Sequence, residues 1–217
     1  MKLEAKTINI LKNFTTINPS ILFTPGNVLA TISPQKTIYA KASISEEFET
    51  QFGIFDLSRF LSVISLLNDP DLEIHDKSVK ISNGKQQVVY VFSDPSVIVS
   101  PPAKSIKFDK DTAVKFNLSQ DNLQNIMKAV GVLSLPEVHI EGDGSKIYLK
   151  GANSENPTGD TYKIEVGETD KEFSSIFKVD NLKLMPTNYT VYVGDKSGYF
   201  KSDEIEYWIA VESKKSK

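Results

Sequence analysis

The 217-residue chain contains no cysteine, a single tryptophan and two histidines. Without cysteine there are no disulfides, no thiolate nucleophile and no cysteine-based zinc or iron–sulfur site, which fits a reducing compartment. No apolar run approaches the roughly 18–20 residues that a membrane span needs. The first residues, MKLEAKTINILKNF, are charged and periodic, with no continuous apolar core, and are not expected to be a signal peptide. The three N-x-[ST] matches at Asn13, Asn117 and Asn188 then carry no glycosylation meaning. There is also no surplus of positive charge. The net charge is −3. The halves on either side of 108/109 hold 11 basic against 10 acidic residues and 14 against 18. Neither half is a basic domain, so any contact with nucleic acid requires cations gathered on one face.

Reactive constellations are missing too. His75 and His139 stand in strand-like runs with no serine, carboxylate or second histidine at a meaningful spacing. Gly142-Asp143-Gly144-Ser145-Lys146 lacks the spacing of a phosphate loop and is expected to be a hairpin turn, as is Pro25-Gly26-Asn27. No GxSxG, HExxH or EF-hand pattern occurs, and the Glu46, Glu47, Glu49 cluster is expected to be a solvated face. The chain is not expected to be an enzyme, and no cofactor or metal is implied.

What the chain does have is ordinary globular composition, 40% hydrophobic and 24% charged, and a repeated phrase. Residues 53–67 read GIFDLSRFLSVISLL and 175–185 read SIFKVDNLKLM, with Ile54 and Ile176 lying 122 residues apart. Each is a strand leading into a segment of helical period. The stretches beginning INILKNFTTIN and LQNIMKAVGVL echo each other as well, which sets Lys12 beside Lys128. Helical periodicity predicts helices over 3–17, 56–67, 119–132 and 178–185, with Asp56 and Ser119 as N-caps and Pro186 as a stop. Short β-like runs fill the rest: 28–33, 37–44, 48–55, 72–76, 79–82 and 86–92, then 112–118, 137–142, 146–151, 161–167, 171–177, 188–193 and 204–211. Two echoes in the same order indicate duplication: helix, strands, short helix, strands, twice. The expected organisation is two similar α+β domains, 1–92 and 109–217, each with two helices packed on antiparallel sheets. The proline-bearing stretch SDPSVIVSPPAKSIKF, 93–108, joins them as an extended linker pressed on a surface by Val97, Ile98 and Val99.

The helix faces carry the functional signal. Lys2, Lys6, Asn9, Asn13 and Thr16 share one face of the first helix, with Lys12 alongside. Ser58, Arg59, Ser62 and Ser65 mark the second, Asp121, Gln124, Asn125 and Lys128 the third, Lys178 and Lys183 the fourth. The four segments, Lys2 included, hold seven basic residues and four acids, Glu4, Asp56, Asp121 and Asp180, all near N-termini where carboxylates favour capping and the macrodipole. On their own these features are compatible with a monomeric or dimeric β-rich nucleic-acid-binding protein or with a phage structural protein.

With the echoes and faces in hand, the sequence resembles the DNA sliding clamps (DNA polymerase processivity factors) of T-even-type bacteriophages. The matching words are MKL, LKNFTTIN, IFDLSRFLSVISLLND, SDPSVIVSPP, MPTNYTVYV and YWIAVE, in order over nearly the whole length. SKKSK at 213–217 departs from the family by being more basic. The resemblance implies two clamp-fold domains per chain and a homotrimeric ring of six domains. Helices would line the hole and sheets would form the wall. The ring would encircle double-stranded DNA without reading its sequence, tether the replicative DNA polymerase and be opened by an ATP-driven clamp-loader complex. The setting would be the cytoplasm of an infected bacterial host, with no membrane involved. By position, the DNA-facing residues would be Lys2, Lys6, Lys12, Arg59, Lys128, Lys178 and Lys183. Val97, Ile98 and Val99 would receive partner peptides. The strand at 86–92 would pair with 161–167 of a neighbouring subunit.

Overall fold

The computed structural model describes residues 1–102, 106 and 108–212; the SKKSK tail lies outside them. The chain divides into two compact units at 104/105.

Unit 1 opens with α1 (Ala5–Thr15), then β1 (Ile21–Phe23), β2 (Gly26–Ile32), β3 (Ile38–Phe48) and β4 (Phe52–Ile54). It continues with α2 (Leu57–Ser65), β5 (Asp71–Ile74), β6 (Ser78–Ser82), β7 (Gln87–Val91) and a short 3-10 turn over Pro95–Val97. β1 pairs with β4, β2 with β3, and β5, β6 and β7 form an antiparallel sheet in that order. Pro25-Gly26 is not the turn of a hairpin. It is the corner at which the chain leaves the β1–β4 pair for the β2–β3 pair, made possible by Gly26 at φ +106°. β3 alternates buried and outward residues along its length, as a strand with one buried face must. The two runs expected at 37–44 and 48–55 are therefore one long strand and a separate short one. The core gathers Phe23, Phe48 and Phe52, with half-buried Phe92 stacked at its margin; the Phe23–Phe52 and Phe52–Phe92 ring centroids are 4.6 and 4.4 Å apart. Ile10, Leu11 and Phe14 of α1 and Leu57, Phe60 and Ile64 of α2 are buried as well.

Unit 2 runs β8 (Val114–Leu118), α3 (Gln120–Val132), β9 (Glu137–Asp143), β10 (Lys146–Ala152), β11 (Tyr162–Glu168), β12 (Glu172–Lys178), a 3-10 turn (Val179–Asn181), β13 (Tyr189–Val193), β14 (Ser197–Lys201) and β15 (Ile205–Ala210). One sheet has the order β11-β10-β9-β12, and the remaining strands are ordered β15-β14-β13-β8. Here the expected hairpin exists. Gly144 (φ +83°) joins β9 to β10, and the Asp143 carboxylate accepts the Ser145 and Lys146 amides at 2.9 and 2.7 Å. Between the sheets Phe177 meets Phe200, and Phe200 meets Tyr189, all edge to face.

The expected fourth helix, 178–185, is a correction: only Val179–Asn181 coils, and as a single 3-10 turn. At the matching start of α2, the Asp56 carboxylate accepts the Arg59 amide at 2.8 Å. Lys178 stands at that place in unit 2 and makes no cap bond, and Pro186 closes the segment from the other side. β1 and β14 were not among the expected strands. β1 has only three residues between Pro19 and Pro25, and β14 begins Ser-Gly, which carries no apolar alternation.

Candidate nucleic-acid interface

In unit 1, α1 and α2 pack on each other with their apolar stripes buried. The start of α1 lacks a side-chain cap of its own. Glu46 supplies one from β3, accepting the Glu4 amide and the Thr7 hydroxyl, each at 2.6 Å. Sequence reasoning left Glu46 on a solvated face. The alternation of β3 was the signal that sends it inward, with Ile44 and Phe48, and the helix N-terminus gives a buried carboxylate its donors. Ahead of the helix, Met1 and Leu72 exchange backbone hydrogen bonds of 2.8 and 2.7 Å, which fixes Lys2 at the edge of β5, ion-paired with Asp69. Asp69 holds the Lys2 ammonium above its ordinary pKa, chiefly through this hydrogen bond.

The outward faces then follow from helical geometry. Lys6, Asn9, Lys12 and Thr16 are exposed on or just past α1, and Ser58, Arg59, Ser62 and Ser65 on α2. In unit 2, α3 lies on β9, β10 and β11, burying Leu123, Ile126 and Val130 and exposing Asp121, Gln124, Asn125 and Lys128. Within α1, α2 and α3, four cations, Lys6, Lys12, Arg59 and Lys128, stand against one acid, Asp121. Lys12, Arg59 and Lys128 have no carboxylate within ion-pair distance among the described residues. Lys178 instead sits at the end of β12 and pairs with Glu212 at 3.1 Å. Lys183 is half-buried in the irregular segment that replaces the fourth helix. The structure thus groups Lys2, Lys6, Lys12 and Arg59 around the helices of unit 1, and leaves Lys128 alone on a helix in unit 2.

The start of the linker is fastened to unit 1. Ser93 and Gly53 are bridged, the Asn18 amide side chain donates to the Val99 carbonyl at 2.9 Å, and Ile98 is buried against Gly53. Val97 and Val99 remain 54% and 43% exposed on either side of it. Val89 and Val91 of β7, which sequence reasoning did not single out, are 59% and 68% exposed on an edge strand. Their every-other-residue spacing was the readable signal. No group of three or more His, Asp or Glu side chains is placed to hold a metal ion among the described residues.

Residues 2–101 match the family model of the DNA polymerase processivity factor, and residues 115–213 match that of the gp45 sliding clamp, C terminal. The chain belongs to the sliding-clamp family. The sliding clamp of Escherichia phage RB69 is 32% identical over 98% of this chain and 97% of its own length, and that of Enterobacteria phage T4 is 31% identical over the same shares. The fold extends further than the sequence. Proliferating cellular nuclear antigen from Entamoeba histolytica superposes with a TM-score of 0.71 at 14% identity over 98% of both chains. The Helicobacter pylori beta clamp bound to a DNA ligase peptide gives 0.69 at 15% identity, covering all of this chain and 68% of that one. As a processivity factor the clamp acts in DNA replication.

Proposed function

We propose that three copies of this chain close into a homotrimeric ring around double-stranded DNA, and that the ring tethers the replicative polymerase while catalysing nothing and carrying no cofactor. The observation that carries this reading is the segregation of charge. In a chain of net charge −3, the α1, α2 and α3 faces set four cations against one acid among Ser, Asn, Gln and Thr, and Lys12, Arg59 and Lys128 have no carboxylate in ion-pair range among the described residues. Such a surface attracts phosphates without reading bases, and its few scattered cations suit sliding better than a dense arginine clamp. Lys2, Lys6, Lys12, Arg59, Lys128, Lys178 and Lys183 form the DNA-facing set, with Lys2 and Lys178 loosened from Asp69 and Glu212 when phosphate approaches. An ATP-driven clamp loader opens the ring in the cytoplasm of the infected bacterial host.

Two edge strands support ring closure. β7 and β11 each end a sheet with one row of backbone groups unpaired within its unit. Exposed edges are normally covered. Strand 87–91 of one subunit pairs with 162–168 of the next, and Val89 and Val91 are buried there. Val97 and Val99 are the apolar surface offered to a partner tail, with Ile98 as the anchor that holds them in place. The test is the mass in solution. The ring has three times the 24.2 kDa of one chain. A strictly monomeric protein at micromolar concentration, with or without DNA, contradicts it.

A further inference from the structure

Unit 1 supports α2 by packing it on α1, whereas in unit 2 the segment after Asn181 runs to β13 as irregular backbone. Backbone groups in such a segment need partners other than their own helix. Local turns satisfy the Lys183 and Thr187 amides, through the Asn181 and Met185 carbonyls, and two tyrosines hold Met185 itself. The Tyr207 hydroxyl accepts the Met185 amide at 3.2 Å, and the Tyr189 hydroxyl donates to the Met185 carbonyl at 2.7 Å. Their rings stand edge to face with centroids 6.1 Å apart, and both are almost fully buried. Burial pushes both hydroxyls well above the ordinary tyrosine pKa, so both stay neutral. Three residues further on, the Asn188 side-chain oxygen accepts the amide of Gln120, the first residue of α3, at 2.8 Å. It works beside Ser119, whose hydroxyl accepts the Asn122 amide. Segment 182–188 is therefore bonded to the sheet through Met185 and to α3 through Asn188. Lys183 lies two residues from the first attachment, and Lys128 rides on the helix that receives the second.

We propose that Tyr189, Tyr207 and Asn188 are positioning residues that join segment 182–188 and α3 into one rigid surface, so that Lys183 and Lys128 meet the DNA backbone together. The proposal rests on the DNA-facing reading of those lysines. A lysine on a loose loop loses conformational entropy each time it engages a phosphate, and a lysine held in place does not. The tyrosine pair thus does for Lys183 what a packed helix does for Arg59 in unit 1.

The test is a double-mutant cycle on the full-length clamp with its polymerase and loader, reading product length on primed circular DNA across a salt series. The members are the parent, Lys183→Ala, Tyr189→Phe with Tyr207→Phe, and all three changes together. Phenylalanine keeps the buried rings and removes the bonds to Met185 together with the hydrogen bond between the two hydroxyls. Expected results are that Lys183→Ala shortens products in the parent as salt rises, that the tyrosine pair shortens them comparably, and that Lys183→Ala then has no further effect. Amide exchange at Met185 should rise by about tenfold or more, with the β15 amides still protected. Should the tyrosine pair fail to fold, Asn188→Ala at an exposed position replaces it in the same cycle. Equal shortening by Lys183→Ala in both backgrounds overturns the positioning role and leaves the DNA-facing reading intact. No effect of Lys183→Ala even in the parent removes Lys183 from the DNA-facing set, and the positioning role with it.

Discussion

The two units follow one plan, and two of the places where they diverge trace to a few residues. In unit 2, β11-β10-β9-β12 is one continuous sheet. The same stretch of unit 1 would read β3-β2-β1-β4, yet it is broken between β2 and β1. Where unit 2 has Gly142-Asp143-Gly144, which turns the chain back on itself, unit 1 has Thr24-Pro25-Gly26, which sends it round a corner. Proline lacks the amide that a ladder needs. The second divergence follows the repeated phrase. After Ile54-Phe55, Asp56 caps a nine-residue helix; after Ile176-Phe177, Lys178 cannot, and a three-residue turn results. From the first helix onward the two units share the order of elements and the buried faces. The local caps and turns decided which elements became long.

The comparison can be broken first at the core. Phe60 and Leu182 occupy matching positions after the repeated phrase, at 2% and 8% exposure. Phe60→Ala should cost about 3–5 kcal/mol, because it leaves a cavity beside Tyr90 between helix and sheet, whereas Leu182→Ala should fall near the lower end of about 2–5 kcal/mol. Denaturant unfolding followed by a probe in each unit checks the order, and equal costs would mean that the turn is packed as firmly as the helix.

The caps come next. Asp56→Ala and Ser119→Ala should each destabilise by about 1 kcal/mol, seen as local exchange in α2 and α3. Replacing Lys178 removes no such bond and should leave exchange of 179–181 unchanged.

Acid should distinguish the units as well. In unit 2, burial alone would raise the Glu137 pKa, but hydrogen bonds from Ser154 and His139 outweigh it and hold the carboxyl below its ordinary value. A depressed carboxyl stabilises the fold above its unfolded pKa, and that stability is lost as pH falls through the folded value. Unit 2 of the parent should therefore lose stability below about pH 4.5, and Glu137→Gln should flatten that loss. An unchanged pH profile for the variant would show that the cluster is not a source of acid sensitivity.

The smallest effect on stability is expected from Lys12→Glu with Lys128→Glu. Both are exposed and have no carboxylate in ion-pair range among the described residues, so stability should move by only about 0.5 kcal/mol or less per site. Loading onto circular DNA and processive synthesis should nonetheless drop, most at low salt, where screening is weak. Parent-like synthesis at every salt concentration would return both lysines to ordinary solvated surface.

Much of this architecture was legible in the sequence, because amphipathic period and caps are local. α1, α2 and α3 end within two residues of their expected bounds, with Asp56 and Ser119 capping as expected. What the sequence concealed was long-range. Nothing near Glu46 announces that it will meet the start of α1 some forty residues away, and nothing near Asn188 announces Gln120. Ile98 stands in a run of three apolar residues that look equivalent, and only the bare surface of Gly53 opposite it decides which one is buried. The fourth helix failed because its apolar spacing was right while its cap and length were not.

The central claim, a ring that holds DNA by enclosing it, is tested most directly by topology. The clamp is loaded onto nicked circular DNA, separated from free protein, and the DNA is then cut once with a restriction enzyme. The account predicts that the clamp stays on the circle and is released on linearisation, because its contacts with phosphate are too weak to hold an open-ended duplex. Retention that is the same on circular and linear DNA would contradict it, since the protein would then be holding DNA by its surface.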